Sequence, residues 1–305
     1  MRAYGFDEYG DADVQDYFDL GTPSPMAGEL LVEVKVAGVN PVDWKIRSGY
    51  ASDTQRLDAP VVLGSEVSGV VRQVGQDVVG FAVGDEVFGS VAPGSGGYAE
   101  FALTSSAATS HKPVHVSFAN AATLPVAGAT AYDGVYQLGL EPGQTMLING
   151  ISGGVGVGAA QIARDLGINV IGTASEDKRP LVESLGATLV PYGNGVADRI
   201  RDLMPQGVDA ILDLAGGEGL RAVAELLEDR INLITAGDPD TAQELGGHAI
   251  ERDRTSRVLD LVSALVADGK LDPHVEDTVS FDHAADALAA VEKGHAKGKV
   301  VIQIG

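Results

Sequence analysis

The sequence contains no cysteine in 305 residues. That absence removes disulfides, iron–sulfur clusters, thiolate nucleophiles and every cysteine-based zinc centre. Positive charge is scarce: 21 lysines and arginines face 43 aspartates and glutamates, a formal net charge of −22. A surface for nucleic-acid phosphates is argued against by that balance. No long uncharged apolar run is present either. The longest low-charge stretch, Met146 to Ala163, is crowded with glycine and interrupted by Asn149, Ser152 and Gln161, so it reads poorly as a membrane span. Arg2 is followed by Asp7 and Glu8 rather than by an apolar segment, so no secretory leader is expected and the cytoplasm is the expected compartment.

What remains is a normal packed chain, 45% hydrophobic and 21% charged, long enough for two domains. Forty glycines point to many tight turns. The first third reads as short strands between glycines. Leu31 to Val36 alternates, placing Val32, Val34 and Val36 on one face and Leu31, Glu33 and Lys35 on the other, as a half-buried strand does. Val61–Val74, Val83–Gly89 and Gly97–Ala102 continue that spacing, so an antiparallel, partly closed β domain is expected. Near residue 120 the pattern changes. Strands are predicted at Met146–Asn149, Asn169–Thr173, Thr188–Val190, Asp209–Leu214, Asn232–Thr235 and His248–Ile250. Helical spacings lie between them, for example Val155, Ala159, Ile162 and Leu166. Alternating strand and helix implies an α/β doubly wound, six-stranded parallel sheet with right-handed crossovers. A helix at about Arg257–Ala267, an extended Val275–Phe281, a helix through Ala287 and Val291, and a last strand Val300–Ile304 complete the chain. The expected division is 1–120 with 270–305, and 121–269.

The most informative segment runs from Thr145 to Ala163 as strand, glycine turn, helix. Gly150, Gly153 and Gly156 allow a sharp turn and close helix packing, and the exposed amides of the helix start, with Ser152, Gly154 and Val155, suit a pyrophosphate. The position in a strand–turn–helix unit is the context in which such a motif signals a dinucleotide. A carboxylate at the tip of the next strand would take the ribose hydroxyls of NAD. Here the strand ends Gly172-Thr-Ala-Ser175, with Lys178 and Arg179 close behind, which favours a 2′-phosphate and hence NADPH. Glu176 and Asp177 weaken that positive field, and ordinary solvated charges are the plain alternative. Tyr192, past the third strand, is a further candidate for the phosphate site.

Ordered motifs along nearly the whole chain extend this reading: Ala37-Gly-Val-Asn-Pro-Val-Asp43, Gly64-Ser-Glu-Val-Ser-Gly69, Val83-Gly-Asp-Glu-Val-Phe-Gly89, Gly97-Tyr-Ala-Glu-Phe101, Leu124-Pro-Val-Ala-Gly-Ala-Thr-Ala-Tyr132, Gly150-Ile-Ser-Gly-Gly-Val-Gly156 and Gly298-Lys-Val-Val-Ile302. Together they resemble the zinc-independent, zeta-crystallin-like quinone oxidoreductases of the medium-chain dehydrogenase/reductase superfamily. The resemblance implies a GroES-like, partly closed β-barrel substrate domain joined to a Rossmann domain, an active site in the cleft between them, and a homodimer. It places Asn40 and Thr130 near the nicotinamide and its ribose, and Tyr50 at the cleft mouth as the best proton-donor candidate. Ala215 and Ala236, after the fourth and fifth strands, join the cofactor set. Two of these candidates have a plain alternative: Asn40 precedes Pro41 and suits a turn cap, and Thr130 suits packing within its helix; Asp43, the lone Trp44 and Arg47 are read as structural neighbours in the same loop.

Asn40 and Ser65 occupy the places where the zinc-dependent relatives hold a cysteine and a histidine that ligate metal, and no metal spacing is visible among the six histidines. Without a Lewis acid, an electron-poor acceptor is expected as substrate, a quinone or an α,β-unsaturated carbonyl, reduced by hydride transfer. The competing readings are an enoyl-thioester reductase, which the acidity disfavours, and a non-catalytic NADPH-binding redox sensor or structural protein. Arg252, Arg254 and Arg257 are read as solvated charges.

Overall fold

The computed structural model describes residues 1–50, 59–294 and 296–305. The chain forms two compact units, one of Met1–Val126, Arg254–Ala267 and Val275–Gly305, the other of Ala127–Asp253 and Asp268–His274.

The first unit begins with strands β1 (Arg2–Phe6), β2 (Gln15–Asp19) and β3 (Glu29–Gly38), helix α1 (Pro41–Arg47), strands β4 (Val61–Val62), β5 (Glu66–Val74), β6 (Glu86–Val91) and β7 (Phe101–His111), and helix α2 (Phe118–Ala121). Strands β2, β1 and β4 make a small antiparallel sheet. In the larger sheet β3, β5, β6 and β7 pair antiparallel in turn, and β7 pairs back onto β3, which closes the barrel. The alternation expected for β3 holds only in part. Glu33 and Lys35 are half-buried and ion-paired at 2.7 Å, yet Leu30 and Leu31 are as buried as Val32 and Val34. The β3–β5 pairing shifts register at Leu31/Val32, and Leu30 and Val32 share one core cluster with Val71 and Val87.

The second unit follows with α3 (Ala129–Leu138), β8 (Thr145–Asn149), α4 (Gly154–Asp165), β9 (Asn169–Ala174), α5 (Arg179–Ser184), β10 (Thr188–Pro191), α6 (Val196–Leu203), β11 (Ala210–Asp213), α7 (Gly217–Ala224), β12 (Leu233–Thr235), α8 (Pro239–Glu244) and β13 (His248–Ala249). All six strands are parallel in the order β10-β9-β8-β11-β12-β13, the doubly wound arrangement read from the sequence. Apolar runs such as Met146, Leu147 and Ile148 are buried throughout, as a sheet covered on both faces requires. The reversal of strand order falls between β8 and β11, so the carboxyl ends of these strands form the ligand-binding edge of this architecture.

The chain then returns to the first unit with α9 (Ser256–Ala267), β14 (Val275–Ser280), α10 (Ala284–Glu292) and β15 (Lys299–Gln303). Strand β15 pairs antiparallel with β3, and β14 runs parallel beside β15. The boundaries differ from those expected at 120/121 and 269/270. Helix α9 belongs with β7, where Ser110 donates to the Ser256 carbonyl at 3.0 Å. Residues 268–274 stay with the second unit because Gln161 of α4 exchanges two hydrogen bonds with the Asp272 backbone, at 2.7 and 2.9 Å. Among the described residues no helix is long and apolar enough to cross a membrane.

Candidate functional sites in the two units

The glycine turn sits at the end of β8. Gly150 has φ +93°, a region open to glycine, and its N–H donates to both Oγ1 and the carbonyl of Thr173 on β9 at 3.1 and 3.2 Å. Gly156 lies so close to Ile151 that a Cβ there would stand 2.5 Å from the Ile151 carbonyl oxygen, so the helix reaches the turn only with glycine at that position. Helix α4 starts at Gly153 without a side-chain cap, and its first ladder bond is Val157 to the Gly153 carbonyl at 2.9 Å. The amides of Gly154, Val155 and Gly156 therefore lack intrahelical acceptors, beside an exposed Gly153 and a half-buried Ser152. This is a fitting cradle for a dinucleotide pyrophosphate.

The groups after β9 are arranged as the sequence order implies, with internal partners added. No carboxylate ends the strand; Ser175 donates to Asp177 Oδ1 at 2.5 Å. Arg179 is ion-paired with Glu176 at 2.5 Å and Glu183 at 3.2 Å, and these carboxylates raise its pKa. Lys178 is buried and lies 4.0 Å from Asp177, while Tyr192 stands exposed past β10. A phosphate entering here would compete with those carboxylates for Arg179.

Beneath this edge lies a buried polar network that was not identified from the sequence. Asp213, the last residue of β11, is 0% exposed and accepts from Asn149 Nδ2 (2.7 Å), Ala215 N (3.3 Å), Gly216 N (3.0 and 3.2 Å) and Thr235 Oγ1 (2.6 Å). Asn149 in turn accepts from Thr173 Oγ1 at 2.6 Å. The available signal was one carboxylate in the otherwise apolar run Ala210-Ile-Leu-Asp-Leu214. Ala215 and Ala236, both expected near the cofactor, flank this carboxylate, and Ala236 N donates to the Asp213 carbonyl at 2.9 Å. Thr130, the second residue of α3, is 4% exposed.

The first unit carries a second buried constellation, around Asn40. Asn40 is 3% exposed and precedes Pro41 at the start of α1. Its backbone N–H donates to Asp43 Oδ2 at 2.8 Å, but its side chain is committed elsewhere: Nδ2 donates to Glu66 Oε1 at 2.8 Å and Oδ1 accepts from Lys299 Nζ at 2.6 Å. Lys299 also reaches Glu66 Oε1 and the Val39 carbonyl, both at 2.9 Å, and Val126 N donates to Glu66 Oε2 at 2.7 Å. Gly38 is required here, since a Cβ would stand 2.2 Å from Glu66 Oε1. The Tyr98 hydroxyl donates to Asp43 Oδ2 at 2.8 Å. Burial pushes the Asp43 carboxyl up to about 6, against the lowering effect of Tyr98, the Asn40 N–H and Lys299; burial and Asp43 together raise Tyr98 well above its ordinary range. Glu66 and Lys299 escaped the sequence reading, although both are charges embedded in valine-rich strands.

Ser65, next to Glu66, has a buried hydroxyl oxygen with no hydrogen-bond partner among the described residues. Tyr50 is 76% exposed, with the Lys45 ammonium 5.8 Å from its ring. Arg47 is 1% exposed and held by Glu292 at 2.8 and 3.1 Å; Trp44 packs on the core of the first unit. His111 ends β7, exposed, stacked on Phe81 and 3.1 Å from Asp85; His115 is exposed. Among the described residues no three acidic or histidine side chains gather as a metal site would need.

Two family descriptions match the chain: an alcohol dehydrogenase GroES-like domain over residues 26–114 and a zinc-binding dehydrogenase domain over residues 185–302. The chain is 32% identical over 357 residues to the mitochondrial NAD(P)H oxidoreductase RTN4IP1 of Danio rerio, covering 100% of this chain and 91% of that protein. It is 32% identical over 315 residues to a 2-methylene-furan-3-one reductase of Solanum lycopersicum, covering 99% and 79%. A solved quinone oxidoreductase from Coxiella burnetii matches with a TM-score of 0.91 at 29% identity, covering 100% of this chain and 99% of that one. The barrel, the doubly wound sheet and these likenesses agree: the chain belongs to the quinone oxidoreductase family of the medium-chain dehydrogenase/reductase superfamily, enzymes of the NAD(P)H oxidoreductase type.

Proposed function

We propose that the protein is an NADPH-dependent reductase of quinones and other electron-poor α,β-unsaturated carbonyls, working without a catalytic metal. The observation that carries this reading is the filling of the Asn40 and Ser65 positions. Lys299 offers only donors to Asn40 Oδ1 and Glu66 accepts from Nδ2, so the amide has one orientation and is committed to a protein network. A hydroxyl and a locked amide are poor ligands for zinc. They are good hydrogen-bond donors: the second Asn40 amide N–H and the Ser65 hydroxyl are uncommitted among the described residues. Both suit an oxygen that gains negative charge during reduction.

The nicotinamide, when bound, supplies a hydride to the acceptor. The amides at the start of α4 hold the pyrophosphate, and Asn40 and Thr130 orient the nicotinamide end. Tyr50, its hydroxyl exposed, passes a proton to the reduced product. Ser175, Lys178, Arg179 and Tyr192 receive the 2′-phosphate, with Arg179 exchanging its carboxylate partners for the phosphate oxygens. The name of the tomato relative, a reductase of an enone, supports the acceptor class. A homodimer in the cytoplasm completes the proposal.

The test follows absorbance of NADPH with a benzoquinone, a simple enone and no acceptor, with and without chelator. Oxidation that requires the acceptor and survives chelation supports the reading. Tight NADPH binding with no acceptor reduced favours a redox sensor instead, and activity lost to chelator overturns the metal-free mechanism.

A further inference from the structure

We infer that Asp213 is a positioning residue that sets the dinucleotide-binding loops before the cofactor arrives, an assignment that rests on the dinucleotide reading above. Its carboxylate ties together the ends of four parallel strands. From β8 it receives Asn149, whose Oδ1 accepts from Thr173 of β9; Thr173 Oγ1 in turn accepts from the N–H of Gly150, the first glycine of the turn. From the loop after β11 it receives the amides of Ala215 and Gly216. From β12 it receives Thr235, whose Oγ1 accepts from the amides of Gly237 and Asp238, both at 3.0 Å. Asp238 closes the circuit from outside: its Oδ2 accepts from Gly217 N at 2.9 Å and its Oδ1 from Thr241 N at 3.1 Å, and these amides hold its carboxyl below the usual range. Three loops at the ligand-binding edge, including the glycine turn, thus depend on one side chain that is itself out of reach of solvent.

The chemistry explains why the residue is aspartate. Every neighbour of its two oxygens is an N–H or O–H, so both arms must accept. An asparagine of the same shape would turn an NH2 toward either the Gly216 amide or the Thr235 hydroxyl, and a donor would face a donor. The cost falls on loop geometry, because the strands remain paired through their backbones. Preset loops lower the ordering needed on binding, so the loss appears in cofactor affinity.

The test compares wild type, Asp213→Asn and Thr235→Val by fluorescence titration with NADPH, with thermal unfolding of each and steady-state rates at saturating NADPH. Asp213→Asn is expected to raise the Kd for NADPH roughly tenfold or more, and Thr235→Val about threefold, the scale of lost buried hydrogen bonds. Turnover at saturating NADPH and the KM for the acceptor should change less than about twofold. Faster hydrogen exchange at the Gly150 and Gly216 amides, with the first unit unchanged, is the accompanying signature. A folded Asp213→Asn that binds NADPH as wild type does overturns the inference. If Asp213→Asn does not fold, Thr235→Val decides: a raised Kd at unchanged melting temperature supports the assignment, and an unchanged Kd overturns it. Wild type that binds no nicotinamide dinucleotide overturns the dinucleotide reading itself, a distinct result.

Discussion

Each unit buries a polar network, and the two are stabilised in opposite ways. In the barrel unit, Lys299 lies between Glu66 and Asn40, and Asp43 adds a second carboxylate beside Tyr98. Glu66 there is paired with the Lys299 ammonium, while Asp43 accepts from the Tyr98 hydroxyl and the Asn40 N–H. In the parallel-sheet unit Asp213 has no cation within ion-pair distance among the described residues; neutral N–H and O–H dipoles surround it. An ion pair fixes a few side chains strongly and makes their protonation matter, whereas a ring of amide donors fixes the backbone that owns the amides. The barrel network is therefore expected to bear on stability and its pH dependence, and the sheet network on the shape of the loops at the strand ends.

The largest effect that would sharpen this contrast comes from Lys299→Met. It leaves Glu66 buried without its cation and should destabilise the protein by about 3–5 kcal/mol, read by urea unfolding. Losing much less than that would break the contrast. Next comes pH. Asp43 titrates near 6 in the folded protein against 3.8 for an ordinary aspartate, so the folded state gains from its proton. Stability is fully present below the ordinary value and falls as pH rises through about 6, by about 3 kcal/mol in all and about 1 kcal/mol between about pH 5 and pH 7. Unfolding of wild type and Asp43→Asn across that window checks this: the difference between them should shift with pH in that direction, and a constant difference contradicts it. The smallest expected effect is on cofactor choice. Arg179→Ala should weaken NADPH binding about three- to tenfold while leaving NADH binding unchanged, because a half-buried arginine already paired with Glu176 and Glu183 contributes only the surplus of phosphate over carboxylate.

The architecture was legible because periodicity and glycine spacing act locally. Strand β8, the turn at Gly150 and helix α4 fall where residues 145–163 place them, and the parallel, doubly wound sheet follows from the alternation of strand and helix. The domain edges were not, since they depend on pairs such as Gln161 with Asp272, more than a hundred residues apart in sequence. Candidate residues were found where a motif names them, as with Asn40 and Gly150. The residues that hold those candidates in place, Glu66, Lys299 and Asp213, are single charges in apolar strands. Such a charge announces that it needs a partner without naming one, and the partners lie 233 residues apart in the case of Glu66 and Lys299. Pairing of that kind becomes readable only once topology brings β5 and β15 to either side of β3.

We propose that the edge organised around the glycine turn and Asp213 binds a phosphorylated nicotinamide dinucleotide. Titration of the wild-type protein with NADPH and with NADH, by fluorescence or calorimetry, tests it most directly. The expected result is saturable binding of about one NADPH per chain, tighter than NADH by roughly tenfold or more, the scale of a charge-assisted phosphate contact. Absence of saturable binding for either dinucleotide would contradict the claim, and tighter binding of NADH would remove Ser175, Lys178 and Arg179 from the phosphate site.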